Sequence, residues 1–223
     1  MFQTFYFKSI RNLVVAFGSL FNNIYITRED ANDEEVSRIK VPLGYGPKEK
    51  YLRFATETNS QDLSKARAAY TLPRLAFEMT SINYDTMRKI NSLIKHSGPI
   101  DEESTTTIER FVGVPYNIEF SLYVMTRNSE DGLQIVEQIL PFFTPEFNVT
   151  VKMNSLNKKV DVPINITSVS MVEDYEGGME DQRRSITHTL TFSAKTYIFG
   201  PEKTYNLIQE VQTNIFDLDQ LEE

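Results

Sequence analysis

Residues 116–125, YNIEFSLYVM, alternate without a break: Tyr116, Ile118, Phe120, Leu122 and Val124 face one way, and Asn117, Glu119, Ser121, Tyr123 and Met125 the other. A period of two predicts a strand. The period then changes. Leu133, Val136, Ile139, Leu140 and Phe143 recur at helical spacing and predict a helix with a wide core-facing stripe. Ser129 is placed to cap that helix, and Glu130 and Asp131 complement its dipole. Pro141 has no amide donor and crowds the carbonyl of Glu137, so the helix must kink or tighten there, with Phe142 and Phe143 turned inward. Pro145 prevents continuation, and Phe147, Val149, Val151 and Met153 begin a new alternation. The unit is strand–helix–strand over 116–153. A crossover of this length permits a parallel, right-handed pairing of its two strands.

The same reading extends along the chain. Leu13, Phe17, Leu20, Phe21 and Ile24 predict an amphipathic helix near 8–22, followed by a short strand from Tyr25. Residues 29–35 are an acidic loop, without the oxygen spacing or turn glycine of a calcium loop. Val36 to Pro42 reads as a strand, and PLGYGPKEK, 42–50, as a loop that lacks the Walker spacing. Ser60 can cap a short helix carrying Leu63, Ala66 and Tyr70. Arg74 to Tyr84 reads as a strand, 86–97 as a weak helix ending near His96, and 100–107 as a polar loop. Strands from Val160 to Ile166 and from Arg184 to Ile198 predict an antiparallel hairpin over 160–198 with a glycine-containing loop at 174–181. The fold class is therefore mixed α/β, a mixed sheet flanked by helices. No repeat or linker divides the chain, so residues 1–223 are expected to form a single domain, with 217–223 a frayed acidic tail.

Composition narrows the chemistry. The chain has 223 residues, 40% hydrophobic and 24% charged, which suits a sizeable core. A net charge of −8 argues against sequence-independent nucleic-acid binding, which needs cations against phosphates. Cysteine is absent, and the two histidines, His96 and His188, lie far apart, so neither disulfides nor a His-rich metal site is expected. His188 shares an apolar strand face and is expected to be a hydrogen-bonded core residue. No apolar run approaches a membrane span, and the apolar N-terminus reads as an amphipathic element, not a signal peptide.

Four stretches, in order, resemble the tail sheath stabiliser, or tail-completion, family of contractile-tailed bacteriophages. The longest is residues 116–151, with Thr126-Arg127, Glu130-Asp131, Ile135 to Pro141, Phe143 and Pro145 to Asn148. The others carry Val41-Pro42, Tyr45 and Lys48-Glu49; then Leu72-Pro73-Arg74; then Arg183-Arg184, Leu190-Thr191-Phe192 and Pro201. The resemblance implies a tail-terminator-type fold and a non-enzymatic virion component without cofactors. It implies a homohexameric ring at the head-proximal end of the tail, assembled in the host cytoplasm. The ring would contact the tail sheath protein, the tube terminator and the neck or head-completion proteins, with no membrane and no specific nucleic acid. Tyr45, Lys48, Glu49, Arg183 and Arg184 are candidate ring or partner contacts. Arg183 and Arg184 could instead pair within the subunit, with Glu176, Glu180 or Asp181. Phe120, Leu122, Leu133, Val136, Ile139, Leu140 and Phe143 are the expected core. Two other readings stand beside this one: a tube terminator or neck connector ring, and a metal-dependent hydrolase built on clustered carboxylates.

Overall fold

Leu13, Phe17, Phe21 and Ile24 fall on one side of the N-terminal segment, and in the computed structural model that side is buried. The model describes residues 4–29, 35–51, 72–99, 106–152, 159–176 and 183–206. The helix predicted at 60–70, Met153 and the acidic tail lie outside them. Helix α1 spans Ser9–Leu20, and helix α2 spans Ser129–Ile139. Among the described residues there are eleven strands: β1 Tyr25–Glu29, β2 Glu35–Lys40, β3 Leu43–Tyr45, β4 Arg74–Tyr84, β5 Lys95–Pro99, β6 Thr106–Phe111, β7 Val114–Thr126, β8 Glu146–Lys152, β9 Lys159–Glu176, β10 Arg183–Ile198 and β11 Lys203–Asn206. This is the mixed α/β class, a mixed sheet flanked by helices.

The chain divides into two compact units, residues 6–89 with 114–198, and residues 1–5 with 90–113 and 199–223. The smaller unit is built on an antiparallel three-stranded sheet, β11-β6-β5. Its strands carry Lys95 and Glu109, paired at 2.9 Å. Lys95 donates to the Glu109 carboxylate, and that contact holds the carboxyl below its ordinary range. The weak helix read at 86–97 is absent. Asp85 instead accepts from the Met87 amide at 3.0 Å and from Arg88 Nε at 2.6 Å, closing a turn. Lys95–Pro99 then pairs with Thr107–Phe111, so ladder bonds override a weak local preference, and Gly98-Pro99 lies in a strand.

The larger unit holds a six-stranded sheet in the order β3-β4-β7-β10-β9-β8, and a separate ribbon of β1 and β2. Strand β3 runs parallel to β4, and every other neighbouring pair is antiparallel. The crossover through α2 therefore does not make a parallel pair. The predicted 160–198 hairpin, β9 and β10, inserts between β7 and β8, which leaves β8 at the sheet edge and antiparallel to β7. The β9–β10 hairpin closes a shorter loop than the crossover through α2, and its β10 strand holds the β7 edge.

The core lies between α1, α2 and one face of this sheet. Phe17 stacks on Phe120 with ring centroids 4.4 Å apart, and contacts Phe192 and Phe77 at 5.3 and 5.5 Å. Phe143 meets Phe192 at 5.0 Å. Gly18 makes the close approach possible, since a Cβ there would sit 2.6 Å from the Phe77 ring. Phe120, Leu122, Val136, Ile139 and Phe143 are buried.

Two residues of the expected stripe are not buried: Leu133 is 57% exposed and Leu140 39%. Helix α2 is rotated so that Asp131, Gly132, Ile135, Val136 and Ile139 face inward, which turns Leu133 out. At Pro141 the chain tightens into a 3-10 turn, Leu140–Phe142. The tighter winding sends Leu140 and Phe142 outward, Phe142 to 65% exposure, and only Phe143 turns in. Ile139→Ala should therefore cost about 2–5 kcal/mol of unfolding free energy. Leu133→Ala should stay within about 0.5 kcal/mol. Denaturant titration of the two variants reads the difference, and equal losses would place α2 wrongly.

Candidate interaction site

The inner face of α2 carries polar groups as well as apolar ones. Asp131, Gln134 and Gln138 recur at i, i+3 and i+7, so they form a stripe beside the buried apolar one. That stripe meets β1. Gln134 Oε1 accepts from the Thr27 amide at 3.1 Å, and its Nε2 donates to the Thr27 carbonyl at 3.2 Å. One side-chain amide thus supplies the bonds a neighbouring strand would. Gln138 Nε2 donates to the Tyr25 carbonyl at 2.7 Å. Asp131, whose side chain is only 5% exposed, takes the Arg28 guanidinium in a two-pronged contact at 2.7 and 2.8 Å. The α2 side chains therefore occupy the outer edge of β1 and hold the ribbon against that helix. The i, i+3, i+7 spacing of this stripe is present in the sequence beside the stronger apolar periodicity.

Beneath the same helix lies His188, 4% exposed, on β10. A Cβ at Gly132 would come 2.5 Å from its Cε1, so only glycine lets α2 approach this closely. Neither imidazole nitrogen has a hydrogen-bond partner among the described residues, contrary to the hydrogen-bonded histidine expected. The ring lies against α2 at Gly132, and burial lowers its pKa from the ordinary 6.5.

An apolar groove of about 440 Å³ opens beside the 3-10 turn, lined by Leu20, Phe21, Ile24, Ile139, Phe143 and Phe147. On the other face of the sheet, Tyr123 donates to Glu78 at 2.7 Å. Burial and that carboxylate push the phenol up to about 12.

The sequence-derived contact residues separate into two places. Tyr45 ends β3 and is 53% exposed, with its ring against Phe77 at 5.3 Å. Lys48 is half-buried and Glu49 exposed in the helical turn that follows. Arg183 and Arg184 open β10, which β4 and β7 separate from β3. In the ladder Arg183 stands opposite Glu176, and Arg184 opposite Tyr175. Glu180 and Asp181 lie outside the described residues. Among the described residues no three His, Asp or Glu side chains converge as a metal site, and no helix is long and apolar enough to cross a membrane. What the geometry offers is a set of edges and surface patches suited to binding another chain.

Comparison with known proteins identifies the context. The model of the T4-like virus Myoviridae tail sheath stabiliser family matches residues 4–223. The chain belongs to that family. It is also 31% identical over 207 residues to the tail completion protein gp15 of Enterobacteria phage T4, covering 90% of this chain and 74% of that protein. It is thus a structural tail protein of a T4-like phage, a virion component with a role at the sheath.

Two outcomes follow from the α2 contacts. Arg28→Ala leaves the enclosed Asp131 carboxylate without its guanidinium and should cost about 1–3 kcal/mol, read by thermal or denaturant unfolding. An unchanged midpoint would show that the pair holds nothing. For His188, the folded pKa lies below the unfolded 6.5, so the unfolded chain binds the extra proton first. Stability should therefore fall as pH drops below about 6.5 and level off below the folded pKa. His188→Gln should flatten this part of the stability–pH curve, and an identical slope in the variant would exclude His188 as its source.

Proposed function

We propose that this sheath stabiliser forms a sixfold ring on the last sheath ring at the head-proximal end of a contractile tail. There it caps the sheath and the tube terminator and presents the surface to which the neck of a filled head docks. The observation that carries this reading is the family match across residues 4–223, joined by the 31% identity to a tail completion protein. The physical logic is one of unfilled surfaces. The last sheath ring leaves subunit-binding surfaces without partners, and a ring that binds them favours the extended form by mass action. The role is one of binding alone, with no bond-making step and no cofactor.

Tails assembled without this protein should reach normal length, carry unstable sheaths and fail to join filled heads. Purified protein added back should restore both properties without nucleotide or metal. A reconstruction of intact tails should place six copies at the head-proximal end. Tails that hold their sheaths and accept heads without the protein would defeat the proposal, as would a reconstruction placing it only in the capsid or baseplate.

A further inference from the structure

The six-stranded sheet ends unevenly. Strand β9 has 18 residues and β8 only 7. β8 pairs with β9 from Lys159 to Asn165, whereas the β10 ladder continues along β9 to Glu176. From Ile166 onward, no described strand lies on the outer side of β9. Residues 167–174 are all exposed, with Val169, Met171 and Val172 at 43%, 49% and 47%. A long edge bearing apolar side chains is a template for another strand.

The larger unit has a second open edge. Among the described residues strand β2 pairs only with β1, and residues 37–40 are exposed, Ile39 at 43%. The remaining edges are occupied or short. Gln134 and Gln138 bond the outer side of β1. Asn12 Nδ2 of α1 donates to the Lys152 carbonyl of β8 at 2.9 Å. β3 has three residues, and the Tyr51 hydroxyl donates to its Tyr45 carbonyl at 3.1 Å. The two open edges also differ in charge. β2 presents Arg38 and Lys40, and the β9 overhang carries Glu173 and Asp174. In a chain of net charge −8, a basic edge facing an acidic one favours self-association at those edges over random contact.

We propose that the outer edge of β9, from Ile166 to Glu176, pairs with the β2 edge, Glu35–Lys40, of a second copy of this chain. Main-chain hydrogen bonds then carry the sheet across the subunit boundary, and the opposite charges choose which edge meets which. Two different surfaces of one subunit meet in this contact. Such a contact is heterologous, and it generates a ring when the rotation closes. The inference rests on the ring reading above and assigns its subunit interface.

Charge exchange tests it. Arg38→Glu with Lys40→Glu alters the β2 edge, and Val172→Lys with Asp174→Lys alters the β9 edge. Each variant alone should lose the oligomer seen for the wild type by sedimentation velocity, with association roughly tenfold weaker or more, while its thermal unfolding is unchanged. Mixing the two should restore the oligomer, because the substituted β2 positions of one variant then meet the substituted β9 positions of the other with opposite charge, and the remaining contact is the wild-type one. If a double variant fails to fold, Lys40→Glu and Asp174→Lys carry the same comparison. If the wild type assembles only on tails, the same variants are scored by incorporation into tails that lack the protein. Variants that assemble as the wild type does, or a mixture that restores nothing, would overturn the edge pairing and leave the ring standing. Tails carrying the wild-type protein in other than sixfold symmetry would overturn the ring reading itself.

Discussion

The stacking of Phe17 on Phe120 fixes the rest of the larger unit. Phe120 sits mid-strand in β7, and β7 is bonded on both sides, to β4 and to β10. Phe17 reaches all three strands through Phe77, Phe120 and Phe192, and Phe21 extends the cluster to Phe192 and Phe143. Each aromatic contact of this kind adds about 0.5–1.5 kcal/mol beyond the area it buries. The consequence is positional as much as energetic. With Phe17 in place, Gly18 must lie on the Phe77 ring, and α1 has one orientation across the sheet. Phe21, at the C-terminal end of α1, then meets Phe143, which packs on Phe147, and this sets where the chain leaving α2 can enter β8.

Helix α2 depends on that arrangement and passes it on. Its apolar side closes the core through Ile135, Val136 and Ile139. Its first turn touches His188 through Gly132, so a side chain at 132 would lift the helix. Its polar stripe then bonds β1, and through β1 it positions β2, whose residues 37–40 are exposed. A two-stranded ribbon is marginal in isolation. Here Gln134 replaces a strand, Asp131 fixes Arg28, and the buried Ile26 anchors the inner face. The β2 edge is thus presented by a rigid support.

Much of this was legible in the sequence. The alternation at 116–125 and at 74–84, and the hairpin over 160–198, became β7, β4 and the β9–β10 pair, because side-chain alternation and ladder pairing share one period. The Pro141 tightening followed from a missing donor. The misplacements share a cause, which is that periodicity gives a face but not its rotation. Gly132 against His188 turned Leu133 outward, and the 3-10 turn did the same to Leu140 and Phe142. The parallel pairing through α2 was lost to a competitor for the β7 edge, a tertiary outcome that no local pattern carries. Of the candidate contacts, Tyr45 and Glu49 stand exposed. The open edges of β2 and β9 were not legible, because an unpaired backbone has no side-chain signature.

An open edge is a hazard that most folds remove, and here two remain in one unit. What keeps them from indiscriminate pairing is written beside the backbone. Val169 and Met171 share one face of the β9 overhang and Ser168 and Ser170 the other, and Glu173 follows Met171 on its face, so the apolar stripe is only two residues long. Acidic residues close its far end, and Arg38 and Lys40 charge the other edge. Like edges therefore repel, β9 from β9 and β2 from β2, at ionic strengths where the Debye length of about 8–10 Å still spans two adjoining strands. Isologous stacking and amyloid-like growth both need like edges to meet. A chain arranged in this way discourages both while leaving one head-to-tail combination attractive. For a structural tail protein, whose work is to meet other subunits in a set order, that selectivity matters more than the strength of any single contact.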